Sequence, residues 1–200
     1  MASLTSTSHA LLGLLAIRSW STYELAKQVE RSLGWFWPRA ERKVYDEAKR
    51  LVDGGFARSA DESTGARPRT VYHITPKGRR ALTTWLREPS APPKLESEAL
   101  VRVFFADSAT LEDLRRTIDE IADAARSQLE QLRALVESVD DQQYPFSDRL
   151  HLNALSLRFQ LDHQRMTLGW AEWAGEQVTQ WRDVDDPGEW VWRDALPIAH

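Results

Sequence analysis

Apolar positions recur at changing intervals along the chain. Residues 8–18, SHALLGLLAIR, are apolar on most faces, which predicts a short buried helix with Thr5, Ser6, Thr7 or Ser8 as its N-cap. Ser21 with Glu24 three places on is a capping-box pair, and Tyr23, Leu25, Ala26, Val29 and Leu33 then form one stripe, predicting a second, amphipathic helix. GWFWP breaks it. In RAERKVYDEAKRLVDGGFA, Val44, Ala48, Leu51 and Val52 return at helical spacing, and Gly54-Gly55 supplies a stop. GGFARSADE and RTVYHIT read as two short strands, with STGA able to turn the chain between them. Thr75 then caps a helix that opens at Pro76, a favoured first position: PKGRRALTTWL.

The second half has a different rhythm. REPSAPPKLE carries three prolines and reads as a linker. Beyond it, Leu111, Leu114, Ile118, Ile121, Ala125, Gln128, Leu132, Leu135 and Val139 alternate spacings of three and four. That is an a/d seam on a helix of about 45 Å at 1.5 Å per residue, with Thr110 as N-cap. A helix so long needs a partner along its seam. After QQYPFSD, residues 147–174 are apolar on two faces. Leu150, Ala154, Leu157, Leu161 and Leu168 cover one, and Leu152, Leu155, Phe159, Met166, Trp170 and Trp173 the other. A helix apolar on two faces is buried between neighbours. One neighbour is the preceding long helix; the other is expected to be a second copy of the chain. Dimerisation is therefore expected to rest on Leu111, Leu114, Ile118, Ile121, Leu150, Leu157, Phe159, Leu161, Met166 and Trp170. DVDDPGEWVWRDALPIAH is acidic with Trp190 and Trp192, and the pattern does not place it.

These readings divide the chain into residues 1–88, a linker over 89–96, a helical domain over 97–175 and a tail over 176–200. The expected class is mainly α: an N-terminal winged helix-turn-helix with a two-stranded wing, and a C-terminal long-helix dimerisation domain. A single-helix-bundle monomer is the alternative for the second half.

Charge separates the halves further. Residues 1–88 hold 15 Lys and Arg against 9 Asp and Glu, and the remainder holds 11 against 21, so the overall −4 conceals a basic first half. A basic first half points to a polyanion as its partner. The absence of cysteine excludes disulfides, thiolate metal sites and a cysteine nucleophile, and agrees with a reducing cytoplasm. No apolar run reaches 18 residues, and no basic residue precedes the short apolar core of the N-terminus, so neither a membrane helix nor a signal peptide is expected. The scattered histidines lack ligand spacing, and no nucleotide loop or nucleophile elbow is present, so no metal, no cofactor and no enzymatic activity are expected.

In a winged helix the third helix enters the major groove, which is wide enough to admit it. Its first turns hold Arg39, Arg42, Lys43 and Tyr45, with Lys49 a turn later. Arg and Lys donate to guanine edges or phosphates, and Tyr to a phosphate. Arg67 and Arg69 sit on the hairpin tip, where Pro68 stiffens the chain, and are placed to reach the neighbouring backbone or minor groove. Thr22 and Tyr23 at the start of the second helix and Lys77 just past the wing complete the expected DNA-binding set. Tyr72 and His73 read as structural residues.

The stretch KVYDEAKRLVDGGFARSADESTGARPRTVYHITPKGRRAL resembles the PadR family of transcriptional regulators. Tyr45 falls on that family's recognition-helix tyrosine and Leu51 on its later leucine. Arg67-Pro68 and Tyr72 fall on its wing, and Thr75, Gly78 and Arg79 on the helix that follows. ALLGLLA and SEALVRVFFAD are similar to the openings of its first helix and its C-terminal helical domain. Asp46 stands where proline is frequent and Ala48 where leucine is usual, and the wing is one residue longer than the tightest family form. The resemblance implies a homodimeric repressor on a pseudo-palindromic double-stranded DNA operator, with half-sites about 34–36 Å apart. It also implies a small aromatic effector near the dimer interface, for which Trp85, Phe104, Phe105, Trp170 and Trp173 supply rings. A winged-helix module that docks proteins without DNA is the alternative.

Overall fold

A computed structural model describes residues 4–38, 40–63, 68–140 and 146–196. The chain divides into two compact units, Met1–Pro93 and Lys94–His200.

The first unit runs α1 (Ser6–Ile17), β1 (Trp20–Ser21), α2 (Thr22–Leu33), α3 (Glu41–Asp53), β2 (Ala57–Ser63), β3 (Pro68–Ile74) and α4 (Pro76–Trp85). Local chemistry sets most of these boundaries. Thr5 accepts from Ser8 N while Ser8 accepts from Thr5 N, closing a capping box at α1, and Ser21 with Glu24 closes another at α2. The Ser21 hydroxyl, hydrogen-bonded to Glu24, holds that carboxyl below its usual range. α3 ends at Gly54, and Gly55 follows at φ 71°, in the left-handed region that glycine enters without strain. Thr75 accepts from Gly78 N, and Pro76 takes the first position of α4.

Leu11, Leu12, Leu25, Val44, Ala48, Leu51, Val71 and Tyr72 are buried and form the core beneath the helices. β2 and β3 form the expected two-stranded wing, and the short β1 adds to it, giving a three-stranded sheet in the order β1-β3-β2. Trp20 and Ser21 pair with Tyr72 and Val71, a strand too short to leave any periodicity in the sequence. Trp20 is anchored besides by its indole N–H, which donates to Leu14 O at 2.8 Å.

The second unit comprises α5 (Glu98–Phe104), a 3-10 turn at Ala106–Ser108, α6 (Leu111–Glu137), a 3-10 turn at Ser147–Arg149 and α7 (Leu150–Thr179). Arg115 reaches Val178 O at 3.2 Å and Arg126 reaches Glu172 at 3.2 Å, so α6 and α7 run antiparallel. The buried positions of α6 are Leu114, Thr117, Ile118, Ala122, Ala125, Leu129 and Leu132. Ala122 and Leu129 therefore replace the expected Ile121 and Gln128, which are half-buried, and Leu135 is exposed. The stripe keeps the 3.6-residue period of a straight helix, whereas the expected 3.5-residue seam belongs to a supercoil and drifts off the contact line.

α7 runs to Thr179, beyond the expected domain end at 175. Residues 180–190, left unplaced by the sequence pattern, fold back on this unit: Trp181 and Val184 pack on the α6–α7 core, and Trp190 Nε1 donates to Gln177 Oε1 at 3.0 Å. Among the described residues, no helix is long and apolar enough to cross a membrane.

Candidate functional site

α3 is strongly two-sided. Val44, Glu47, Ala48 and Leu51 are buried against the rest of the first unit, while Glu41, Arg42, Lys43, Asp46, Lys49 and Arg50 face solvent. Three of the expected DNA-binding residues, Arg42, Lys43 and Lys49, thus share the open side of one helix, with a side-chain exposure of 93% for Arg42. Tyr45 is half-buried, and its hydroxyl donates to the Glu41 carboxylate one turn earlier. That hydrogen bond raises the Tyr45 hydroxyl above the usual phenol range, keeping it a donor.

α2 borders this surface. Tyr23 is 63% exposed. Tyr23 and Lys27 both contribute to the electrostatic environment of Tyr45, so the three lie on one neighbourhood of the surface. Lys27 was not legible as a site residue from sequence. The signal for it is its place one turn after Tyr23 on the same helix. It pairs with Glu30 at 2.9 Å, a hydrogen bond that raises its ammonium further above the usual lysine range. Thr22 is half-buried and donates to Thr70 O at 3.4 Å, so it fastens α2 to the wing strand.

On the wing, Arg69 lies directly across the ladder from Glu62 and 4.0 Å from its carboxylate. His73 Nε2 stands 3.7 Å from the same carboxylate, and its Nδ1 is 2.6 Å from Ser19 Oγ. Arg39 and Arg67 lie outside the described residues. Lys77 departs from the expectation of a free cation: its ammonium donates to Gly54 O at 2.7 Å and sits 4.3 Å from the Phe56 ring centroid. It covers an end carbonyl of α3, where a cation meets the negative end of the helix.

In the second unit the expected dimerisation residues separate into two groups. Leu114 and Ile118 are buried against α7 of the same chain, packed with Ala171, Ala174 and Val178, so they form core rather than free surface. Leu111, Ile121, Leu150, Leu157, Leu161 and Trp170 are half-buried, while Phe159 and Met166 are exposed together with Leu152, Leu155 and Trp173. A cleft of about 500 Å³ opens in this unit, lined among others by Phe104, Phe105, Trp170, Trp173, Trp181 and Trp190. Four of the five rings expected to suit an effector line it; Trp85 belongs to the first unit, stacked on His9 at 4.8 Å. Trp181 Nε1 is buried without an acceptor among the described residues.

Comparison with known proteins follows the same two-part division. Residues 11–84 match the transcriptional regulator PadR-like family, and residues 96–179 match the virulence activator alpha C-terminal family. Over 87 residues the chain is 32% identical to the "Probable transcriptional regulator Rv1176c" of Mycobacterium tuberculosis, covering 43% of this chain and 46% of that one. Over 168 residues it is 24% identical to the negative transcriptional regulator PadR of Bacillus subtilis, covering 82% of this chain and 92% of the relative. The crystal structure of Bacillus subtilis PadR in complex with operator DNA superposes with a TM-score of 0.75 at 23% identity, over 87% of this chain and 99% of that one. The same regulator in complex with p-coumaric acid gives 0.69 at 22%, over 86% and 98%. The winged first unit, the antiparallel long helices of the second and these matches lead to one conclusion: the chain has the fold of the solved PadR structures, and its first unit, residues 11–84, is similar to the PadR-like family of transcriptional regulators.

Proposed function

We propose that this regulator binds duplex DNA as a homodimer and represses transcription in the cytoplasm, releasing its operator when a small aromatic molecule binds the second unit. The observation that carries the reading is the open side of α3, where Arg42, Lys43 and Lys49 stand in solvent beside Tyr23 while the opposite side is locked into the core. Phosphate neutralisation supplies most of the affinity of such a surface, and base-edge contacts supply its selectivity. Arg69 extends the same cationic surface along the wing. The Bacillus subtilis relative solved with operator DNA supports this assignment.

Dimerisation uses the exposed apolar stripe of α7, comprising Leu152, Leu155, Phe159, Met166 and Trp173. A stripe of this kind is covered in solution, and a two-fold partner covers it with its own copy. Two α3 helices then read half-sites one helical turn of DNA, or a multiple, apart. The ring-lined cleft is the place for an effector, a role supported by the relative solved with p-coumaric acid.

The test is selection of duplexes from a random pool, followed by binding measurements across salt concentrations. Arg67→Ala with Arg69→Ala should weaken binding to every sequence and flatten the slope of log K against log salt by roughly 0.9 for each phosphate no longer neutralised. Arg42→Ala or Lys43→Ala should instead relax base preference. A chain that enriches no duplex is a protein-docking winged helix, and the reading fails.

A further inference from the structure

The open side of α3 carries one residue that its cations do not explain. Asp46 is the sixth residue of the helix, with its side chain 65% exposed. Aspartate is a poor helix former, and Asp46 lies beyond the first turn, where a carboxylate gains from the helix dipole. Its ion contact is with Arg42, one turn earlier, at 4.0 Å from Nε. Exposed pairs of this kind contribute little to stability, and the order base-then-acid is the less favourable one along a helix. On a surface that binds phosphates, a carboxylate also lowers affinity for every duplex alike. Stability and affinity therefore both argue against an acid at this position, which leaves selectivity as the property it serves.

The geometry shows how. The Asp46 carboxylate approaches Arg42 at Nε, the inner nitrogen, and leaves the two terminal nitrogens outside that contact. Those two form the fork that matches O6 and N7 of guanine, and the carboxylate charge near Nε favours the orientation in which that fork points outward, although the 4.0 Å contact is an ion pair without a hydrogen bond. The second carboxylate oxygen can accept from the amino group of a neighbouring cytosine or adenine. We propose that Asp46 is a specificity-determining residue: it holds Arg42 in the orientation that reads guanine and penalises duplexes that offer Arg42 only phosphate. Without the carboxylate, Arg42 is free to swing onto the DNA backbone, where it contributes equally to every sequence.

This inference rests on the assignment of α3 as the DNA-reading helix, and the experiment separates the two. The full chain first selects duplexes from a random pool. Dissociation constants are then measured at one salt concentration, on the enriched duplex and on a shuffled one. The proteins compared are wild type, Asp46→Ala, Asp46→Asn, Arg42→Ala and the double variant Arg42→Ala/Asp46→Ala. Asp46→Ala should bind the shuffled duplex more tightly than wild type while gaining nothing on the enriched one, lowering the specificity ratio by about tenfold, within the range of one bidentate base contact. The double variant should have the same ratio as Arg42→Ala, because the acid acts through the arginine. Asp46→Asn, which keeps the shape and a carbonyl dipole but loses the charge, should fall between. If Asp46→Ala tightens both duplexes by the same factor, Asp46 is only background charge and the inference is overturned. It is overturned too if Asp46→Ala lowers the ratio equally with and without Arg42. Failure of the wild-type chain to enrich any duplex removes the DNA-reading assignment itself, and this inference with it.

Discussion

The Ser8 hydroxyl donates to the Glu47 carboxylate, joining the first turn of α1 to the middle of α3. Both side chains are buried, and the same carboxylate takes Arg50 Nη1 at 2.9 Å from its outer side and lies 3.5 Å from Thr5 Oγ1. A carboxylate inside a protein is tolerated only where donors surround it. Glu47 meets that condition because the α1 capping box brings two hydroxyls to one place, so the N-cap of one helix fixes the seating of another.

Ser8→Ala should therefore destabilise the first unit by about 1–3 kcal/mol, the range for leaving a buried polar group short of a partner. Glu47→Ala should also destabilise it, and the double variant should fall short of the sum, since each change removes the same hydrogen bond. Denaturant unfolding followed by tryptophan fluorescence gives the three values; strict additivity would show that the two groups act independently.

Gly78 is fixed by a close approach of backbones. A Cβ there would stand 2.1 Å from Phe56 O and 3.1 Å from Leu12 Cδ2. The first contact is with backbone, which cannot rotate away. Gly78→Ala should lower stability by roughly 1–3 kcal/mol through overpacking, whereas Gly13→Ala, with open space around its Cβ, should not. Thermal melts of both variants decide it. An unchanged melting temperature for Gly78→Ala would refute the packing account.

Asp113 seals the start of α6. The Thr110 hydroxyl and Arg116 donate to its carboxylate, and with the Thr110 backbone N–H they lower its pKa to about 2. A depressed carboxylate contributes stability above its unfolded value of about 3.9 and loses it as pH falls. The first turn of α6 should hold its structure at pH 4 and loosen between there and about 2, and Asp113→Asn should remove that acid step. Carboxyl chemical shifts measured against pH test this directly, and a midpoint at the ordinary aspartate value would contradict it.

The α7 stripe is expected to set the oligomeric state. Leu155→Asp with Phe159→Asp places two charges on the exposed apolar face, while neither residue belongs to the α6–α7 core. Light scattering should show a dimer for wild type and a monomer for the variant, with helical content retained. A variant that remains dimeric would move the interface off this stripe.

The periodicity of the chain and its capping residues determined most of the local structure. Capping boxes and proline or glycine stops act within a few residues, so Ser21, Thr75 and Thr110 are readable as helix starts without knowledge of the fold, and the α1 cap is narrowed to four residues, of which Thr5 serves. The cations of α3 were legible for the same reason: an amphipathic helix exposes whatever its buried stripe leaves over. Tertiary structure decided the rest. It paired Trp20–Ser21 with β3, turned Lys77 onto an α3 carbonyl, and enclosed Glu47 in hydroxyls contributed from 39 and 42 residues away. It also took Leu114 and Ile118 into the core of a single chain and left Leu155 and Phe159 outside. Those outcomes depend on which distant groups meet, and a spacing rule holds no information about a partner that lies outside its own helix or strand.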